Sequence, residues 1–262
     1  MIIGKSGDAV TSISTADANS LTIRGHDLCS DLMGRVGFTD YFYLLLTGRE
    51  ASDDQRFFLD LMLVAIAEHG LVPTNQAARM TLAADPDAIQ GAVAAGILGC
   101  GSVILGSAQG CGDFLKRVLD RAATEGAAPE TVLRREAEAL RAARQPAPGF
   151  GHPLHKPLDP RAQRILTLAE ERGVAGPHTA LARASENIIP EIWRKPLPMN
   201  VSMAIAAVLL DLDFPATMLK AIPILARTAS LLAHLAEEQE RPIGFLMAGH
   251  AEAAIRYSVE EE

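Results

Sequence analysis

Eighteen consecutive residues without a charge, Gly91 to Ala108, constrain the fold of this chain more than any other segment. A helix over these residues has no polar face, so either protein or lipid must surround it. Seven of the positions are Gly or Ser, and the acidic segment Asp85-Pro86-Asp87 precedes them. Because small residues let neighbouring helices approach closely, the segment predicts a buried helix and no membrane span.

The rest of the chain is also dominated by residues that favour helices. Of 262 residues, 43 are Ala and 32 are Leu, whereas Val and Ile together number 29 and the aromatic residues 12. Ala and Leu lose little conformational freedom in a helix, and strands favour β-branched and aromatic side chains. We therefore expect an all-α protein, with one short β-like run at Leu21 to Arg24.

The net charge indicates which classes of partner to expect, and the cysteine content indicates the cellular compartment. A formal net charge of −8 disfavours binding to nucleic acid or to an anionic membrane, both of which need a cationic surface. Three cysteines do not suggest a disulfide framework and are typical of a reducing cytosol. The N-terminus has no long apolar region of the kind found in signal peptides. We expect a cytoplasmic protein.

Helical patterns cover most of the chain after residue 40, with one long interruption. Four prolines, at positions 146, 148, 153 and 157, prevent regular structure in the segment before Pro160. A polar loop of that length in a helical protein is often functional. The charged middle of the chain predicts a smaller helical domain over 112–198. Residues 1–111 and 199–262 would then form a larger helical domain.

The long loop contains several of the scarce cationic and imidazole groups. It carries His152, His155 and Lys156, and Arg161 follows Asp159 in the first turn of the next helix. Free N–H groups in a first turn favour an anion, and a guanidinium with an imidazole can hold and polarise an oxygen-rich acid. Two alternatives are a pair of metal ligands at His152 and His155 or plain surface histidines. Since no Cys or carboxylate with ligand spacing supports a metal, none is predicted.

Single residues outside this loop are further candidates for ligand binding or catalysis. Arg227 lies in an otherwise apolar helix, and a buried Arg needs an anionic partner, which a ligand can supply. His234 lies seven residues further along and so on the same face. His69, at a helix end, is a capping or a ligand-binding residue, and Arg241 before Pro242 is a ligand residue or a surface charge. Cys111, between two glycines, would need a nearby base to act as a nucleophile.

Five segments of the chain together resemble the citrate synthase family. They are YLLLTGREAS at 43–52, EHGLVPTNQAARM at 68–80, GFGHPLHKPLDPR at 149–161, PMNVSMAIAAVLLDL at 198–212 and ARTASLLAHLAEEQERP at 226–242. The resemblance covers about 20–257 and implies an all-α fold with a large and a small domain. It also implies a homodimer whose subunits share active sites, with the small-residue helix at the dimer interface.

The same resemblance implies roles for individual residues. His69 is similar to the histidine that contacts oxaloacetate, and His152 to the histidine that exchanges a proton with the carbonyl or hydroxyl oxygen. Arg161 and Arg227 resemble the arginines that clamp the dicarboxylate, and Arg241 the arginine supplied by the other subunit. The implied substrates are a coenzyme A thioester and a dicarboxylate, with no tightly bound cofactor. By position alone, Lys156 and Arg164 are candidates for binding the coenzyme A phosphates.

Two residues depart from the family pattern. Leu105 replaces the histidine that stabilises the enol of the acyl-CoA, and Ser202 replaces the aspartate that removes its α-proton. The short members of the family include citryl-CoA lyases and the lyase module of ATP-citrate lyase, and that module also lacks this histidine. We therefore expect citryl-CoA cleavage to acetyl-CoA and oxaloacetate, with His152 and Ser202 as the catalytic residues. A citrate or 2-methylcitrate synthase and a catalytically impaired ligand-binding paralogue are the alternatives.

Overall fold

A computed structural model describes residues 9–151 and 157–258 of the chain. Within these residues it contains eleven α-helices and one small antiparallel sheet, which confirms the all-α prediction. The chain separates into two compact units, Met1–Asp60 and Leu61–Glu262. The division into domains at residues 112 and 198 stays a prediction.

The first unit holds the sheet and the first helix. Strands β1 (Ser14–Ala16), β2 (Leu21–Ile23) and β3 (His26–Asp27) are antiparallel in that order, so the predicted β-like run is confirmed as the middle strand. A π-helical turn, Leu28–Leu32, leads to α1, Phe38–Thr47. Ile23, Leu32 and Leu44 form the core of this unit. Gly48 ends α1 in the left-handed conformation that glycine adopts without strain.

The next helix begins in the first unit and ends in the second. It is α2, Asp53–Ala67. The hydroxyl of Ser52 accepts the N–H of Gln55 at 3.2 Å, and the side chain of Gln55 accepts the N–H of Ser52 at 2.9 Å. This reciprocal pair satisfies two of the N–H groups that a helix start leaves unpaired.

In the described residues of the second unit, the regular elements are all helices. They are α3 (Pro73–Ala84), α4 (Ile89–Leu105), α5 (Ser107–Glu125), α6 (Pro129–Ala142), α7 (Pro160–Glu171), α8 (Pro177–Trp193), α9 (Val201–Asp211), α10 (Ala221–Glu240) and α11 (Gly244–Ala254). A single turn of 3₁₀-helix, Ala216–Met218, precedes α10. Residues 201–210 of α9 are apolar except for Ser202, and the helix packs against α5, α7 and α8 as the centre of this unit.

The charge-free segment forms α4, and one side of it packs against α3 and α10. The prediction of a buried helix is met only on that side, because Leu98 is 80% exposed. A Cβ atom at Gly96 would lie 2.7 Å from the side chain of Leu231 and 3.1 Å from that of Ala78, so only glycine permits this approach. The helix bends at Gly101, which has a φ of 59°. The predicted helix to residue 108 was therefore too long, because Gly101 bends it and α5 begins at Ser107.

By length and composition alone, the segment Ala216–Glu240 would be able to cross a membrane, a test that core helices of globular proteins also pass. Its helix α10 packs against α3 and α4, and several of its polar side chains are buried among them. Those polar groups are the ones that position the site.

Candidate active site

One cavity of about 490 Å³ brings together four of the predicted site residues, His69, Arg161, Ser202 and Arg227. They come from four different places in the second unit: the segment after α2 and the helices α7, α9 and α10. Leu105, at the end of α4, lines the same cavity. The family-like residues are therefore neighbours in space although they are up to 158 positions apart in the chain.

The other predicted site residues are not part of this cavity as described. His152, His155 and Lys156 lie outside the described residues. Arg164 is exposed and forms an ion pair with Glu171 at 3.7 Å. Arg241 does not line the cavity of its own chain, and its carbonyl oxygen accepts a hydrogen bond from Arg79 at 3.3 Å.

Arg227 is the most unusual charge in the cavity. It is 8% exposed, and its Nη1 donates to the carbonyl oxygen of Ala67 at 3.3 Å. In residues 9–151 and 157–258, no carboxylate lies within 4 Å of this guanidinium. Burial lowers its pKa, the charge of Arg161 lowers it further, and Cys100 and Glu68 act against this. A buried cation without a counter-ion is unfavourable, so the site is suited to an anionic ligand.

Arg161 is held in place by a buried carboxylate, that of Asp159. Asp159 Oδ1 accepts from Nε of Arg161 at 3.0 Å and from its backbone N–H at 3.1 Å, and Oδ2 accepts from Nη2 at 2.9 Å. The same Oδ2 accepts the N–H of Val201 at 3.1 Å. Burial raises the pKa of Asp159, but the Arg161 guanidinium and the N–H groups outweigh it and hold this pKa below its usual range. One ionised carboxylate thus orients Arg161 and joins the first turns of α7 and α9.

Ser202 lies in the first turn of α9, whose start is tied to the loop that precedes His152. The side chain of Asn200 accepts the N–H of Ser202 at 3.1 Å and donates to the carbonyl of Gly151 at 3.2 Å. The N–H of Asn200 donates to the carbonyl of Gly149 at 2.8 Å. Gly149 has a φ of +74°, and a Cβ there would lie 2.7 Å from the Cβ of Met203. The glycine lets the loop pass directly over α9.

The remaining wall of the cavity is apolar. Leu105 is 4% exposed, and Ile66, Ile104, Ile205 and Pro223 line the same space. No carboxylate is present among the described lining residues, and His69 is the one imidazole there. In the described part of the chain, no group of three or more His, Cys, Asp or Glu side chains is arranged to hold a metal ion. The site therefore combines cations on one side with a hydrophobic surface on the other.

Cys111 does not act as a nucleophile in this arrangement. Its thiol is fully buried, and burial raises the pKa of Cys111 to about 12 despite a hydrogen bond with Ser107. A thiol with that pKa is protonated at neutral pH and therefore unreactive. The thiolate alternative that the sequence left open is thus disfavoured.

Two carboxylates, Asp159 and Glu68, shape the site although the sequence analysis assigned them no role. Asp159 precedes a proline at a helix start, which is a capping signal that reveals the helix but not the contact with Val201. Glu68 Oε1 accepts the N–H of His69 at 2.8 Å, and no local pattern marks that contact. Both roles depend on neighbours that become known only from the fold.

Comparisons with known proteins establish the family and the fold of the chain. The family model of the citrate synthase C-terminal domain matches residues 49–244. A citrate synthase of Synechocystis sp. is 27% identical over 210 residues, which are 78% of this chain and 50% of that protein. The chain thus spans half the length of that relative.

Solved structures also resemble the chain. The citryl-CoA lyase of Hydrogenobacter thermophilus superposes with a TM-score of 0.83 and 27% identity, covering 97% of this chain and 96% of that chain. An ATP citrate lyase of Methanothrix soehngenii gives 0.75 and 21% identity over 99% of this chain and 43% of that one. A citrate synthase of Thermotoga maritima gives 0.66 and 19% over 86% and 57%. The last two likenesses concern the fold alone. Since the family model covers most of the residues, this chain belongs to the citrate synthase family.

Proposed function

We propose that this protein is a carbon–carbon lyase of the citryl-CoA lyase type, which cleaves a citryl-CoA-like thioester to acetyl-CoA and oxaloacetate. The observation that carries the proposal is the buried guanidinium of Arg227, which has no carboxylate partner in the described structure and faces the cavity. The likeness over nearly the full length to a citryl-CoA lyase, at 27% identity, supports the same reaction class.

The cationic side of the cavity would hold the oxaloacetate part of the substrate. Arg161 and Arg227 present fork-shaped donors that match carboxylates, and His69 adds an imidazole beside them. Asp159 orients Arg161 through Nε and Nη2 and so fixes the direction of this clamp. The apolar side, with Leu105, would face the acyl part of the thioester.

In the proposed cleavage, the proton on the tertiary hydroxyl of the substrate moves to the acetyl carbon. His152, the residue after Gly151 of the cavity wall, takes the hydroxyl proton as the C–C bond breaks and the ketone of oxaloacetate forms. The electron pair of that bond passes to the thioester as an enolate. The enolate carbon then receives a proton from Ser202 or from a water beside it, and acetyl-CoA is released. The proton held by His152 returns through water to the group that protonated the enolate, so the net transfer is from the hydroxyl to the acetyl carbon.

Ser202 is the weakest catalytic group in this scheme. A serine hydroxyl is a poor acid or base at neutral pH, and loss of a positioned base costs about 10²–10⁴ in rate. No carboxylate among the described lining residues replaces it. This favours one second candidate function, that of a paralogue that binds the dicarboxylate or coenzyme A without turnover.

We also propose that the protein works as a homodimer with Arg241 serving the site of the other subunit. The support is that Arg241 does not line its own cavity and that several large apolar side chains remain exposed in the second unit. Leu98 of α4 is 80% exposed and Phe245 of α11 is 72% exposed. A dimer interface over these helices would cover such residues. Light scattering of the purified protein tests the dimer, and a monomer at micromolar concentration would contradict it.

Coenzyme A is proposed as part of the substrate rather than as a bound cofactor. Arg164 is a candidate for its phosphates because its exposed ion pair with Glu171 at 3.7 Å is weak and easily exchanged. Lys156 remains a candidate from the sequence. An Arg164→Ala variant should raise the KM for the thioester and leave dicarboxylate binding unchanged.

The decisive experiment compares two substrate mixtures. Purified protein is incubated with citryl-CoA and, separately, with oxaloacetate plus acetyl-CoA, while acetyl-CoA and free coenzyme A are followed by chromatography. Rapid conversion of citryl-CoA to acetyl-CoA and oxaloacetate supports the lyase. Release of free coenzyme A from the second mixture alone supports a synthase, and calorimetric binding of oxaloacetate without any turnover supports the paralogue.

Two substitutions of Ser202 test its role in the proton transfer, and one of them is the matched control for the other. Ser202→Asp supplies a carboxylate where the chain has none and should raise turnover about tenfold or more, whereas Ser202→Asn should not. Equal rates for the two variants would exclude this position from the proton transfer.

A further inference from the structure

Helix α10 carries three polar side chains that all face the end of α2. Arg227, Ser230 and His234 are spaced by three and four residues and so share one face of the helix. Arg227 donates to the carbonyl of Ala67, the hydroxyl of Ser230 donates to Oε2 of Glu68, and Nε2 of His234 lies 3.0 Å from the same oxygen. This face of α10 therefore forms hydrogen bonds with Ala67 and Glu68, the two residues that precede His69.

Glu68 transmits this contact to the backbone of the turn. Its Oε1 accepts the N–H of His69 at 2.8 Å and the N–H of Gly70. Burial raises the pKa of Glu68, but the Ser230 hydroxyl, the two N–H groups and the nearby His234 outweigh it and hold this pKa below its usual range. An ionised carboxylate thus accepts from α10 with one oxygen and fixes the His69 turn with the other.

A buried arginine sets the hydrogen-bonding direction of His234. Nη1 of Arg79 lies 3.3 Å from Nδ1 of His234, and because a guanidinium only donates, Nδ1 must be the acceptor. The hydrogen of the neutral ring is then on Nε2, where it donates to Glu68. Arg79 is 2% exposed and is itself held by Glu238 at 2.6 Å and Glu237 at 2.7 Å.

The chain of contacts continues beyond the turn at both ends. Nη2 of Arg79 donates to the carbonyl of Arg241 at 3.3 Å. The side-chain amide of Asn75 donates to the carbonyl of Gly70 at 2.6 Å. Its nitrogen also lies 2.8 Å from Nε2 of His234, but both nitrogens are donors in the tautomer that Arg79 imposes, so this contact is not a hydrogen bond. The polar connection therefore extends from the backbone at Arg241 to the turn at His69.

We propose that His234 is a positioning residue for the dicarboxylate site and acts through Glu68 on the backbone that carries His69. The inference rests on the proposed function, in which His69 contacts the substrate carboxylate. It adds that the placement of His69 depends on the side-chain contacts of α10 rather than on the turn alone. Because His69 would bind the carboxylate in the ground state and in the transition state alike, its displacement should change KM far more than kcat.

Three variants of α10 test this. His234→Leu removes the hydrogen bonds of the ring to Glu68 and Arg79. His234→Gln keeps an N–H for Glu68 and an oxygen for Arg79, and Thr228→Val is the control. The hydroxyl of Thr228 donates to the carbonyl of Ile224 within α10 and has no contact with the turn. We expect His234→Leu to raise the KM for the citryl thioester about tenfold, or 1.4 kcal/mol, with kcat within about twofold. We expect His234→Gln to recover most of that loss and Thr228→Val to show none.

Hydrogen–deuterium exchange gives a readout that does not depend on turnover. In the unliganded protein, His234→Leu should speed exchange in the segment 67–71 at least fivefold, while the peptides of α9 keep their protection. His234→Gln repeats the measurement in case the Leu variant fails to fold. Unchanged exchange at 67–71 in a folded variant would overturn the positioning role, whether or not the protein is a lyase. Failure of the wild type to bind or convert the substrate, with local exchange raised in the variant, would instead overturn the proposed function alone.

Discussion

Substitution of Asp159 by Asn is the sharpest test of how the site is held together. Asn has nearly the same shape, but its amide NH₂ would meet only donors in either orientation. In place of Oδ2 it would face Nη2 of Arg161 and the N–H of Val201, and in place of Oδ1 it would face Nε and the backbone N–H of Arg161. Removing one partner of a buried ion pair costs about 3–5 kcal/mol, and we expect the lower end because Arg161 is 21% exposed. At about 2–4 °C per kcal/mol, the melting temperature should fall by roughly 6–12 °C.

The contribution of the Asp159 carboxylate to the free energy of unfolding also depends on pH, in a direction that its pKa determines. The folded-state pKa of Asp159 lies below its ordinary value, so its stabilisation is fully present above the unfolded pKa of about 4. This stabilisation is lost as the pH falls through the lower folded pKa. The free energy of unfolding should therefore drop between pH 7 and pH 3 in the wild type, and by less in Asp159→Asn.

Urea unfolding at pH 7 and at pH 3, followed by circular dichroism, measures the free energy of unfolding and its change with pH. Asp87→Asn is the matched control because Asp87 is exposed and forms no ion pair with another described residue. Its stability and acid response should equal those of the wild type. A loss below about 1 kcal/mol at pH 7 for Asp159→Asn, or an unchanged acid response, would refute the role assigned to this carboxylate.

Three further predictions follow from the same structure. Arg227→Met should raise the unfolding free energy of the unliganded protein by about 0.5–2 kcal/mol, since a buried unpaired charge is removed, and should abolish the thermal shift on adding oxaloacetate. Gly149→Ala should destabilise the protein by about 1–3 kcal/mol through its clash with Met203, more than Gly151→Ala, whose Cβ would lie 4.0 Å from its nearest neighbour. In a native thiol titration with a chromogenic disulfide, only the exposed Cys29 should react quickly, and fast reaction of a buried cysteine would contradict the described packing.

The helical class could be predicted from the sequence because it depends on local preferences. Ala and Leu dominate the chain, and the cap residues Ser52 and Gly48 mark helix ends that the structure confirms. The start of α5 at Ser107, in contrast, was not predicted, because Gly110 and Gly112 just after it weaken the local helical preference. Tertiary packing overrides that preference: a Cβ at Gly112 would lie 2.1 Å from the side chain of Leu219.

The cations of the site could also be predicted, but not the groups that hold them. Arg227 stands out as a charge within an apolar helix, and Arg161 as the residue after an Asp-Pro helix start. The link from Glu68 to His234 joins residues 166 positions apart, and no spacing in the sequence reveals it. Contacts of that kind follow from helix packing, which depends on the whole core rather than on local pattern.

The cationic half of the cavity, around Arg161, and its apolar half, around Leu105, should affect the choice of substrate differently. The half around Arg161 is fixed by Asp159, whereas the half around Leu105 presents apolar side chains and no described carboxylate. Under the proposed function, a fixed cationic half would make the dicarboxylate part of the ligand the principal source of affinity. The ligand would supply Arg227 with the counter-ion that it lacks among the described residues. The acyl half can contribute little beyond apolar contact, so differences in rate between thioesters should arise there. Substitutions at Leu105 are therefore expected to change the choice of thioester, and substitutions around Asp159 the affinity for every substrate.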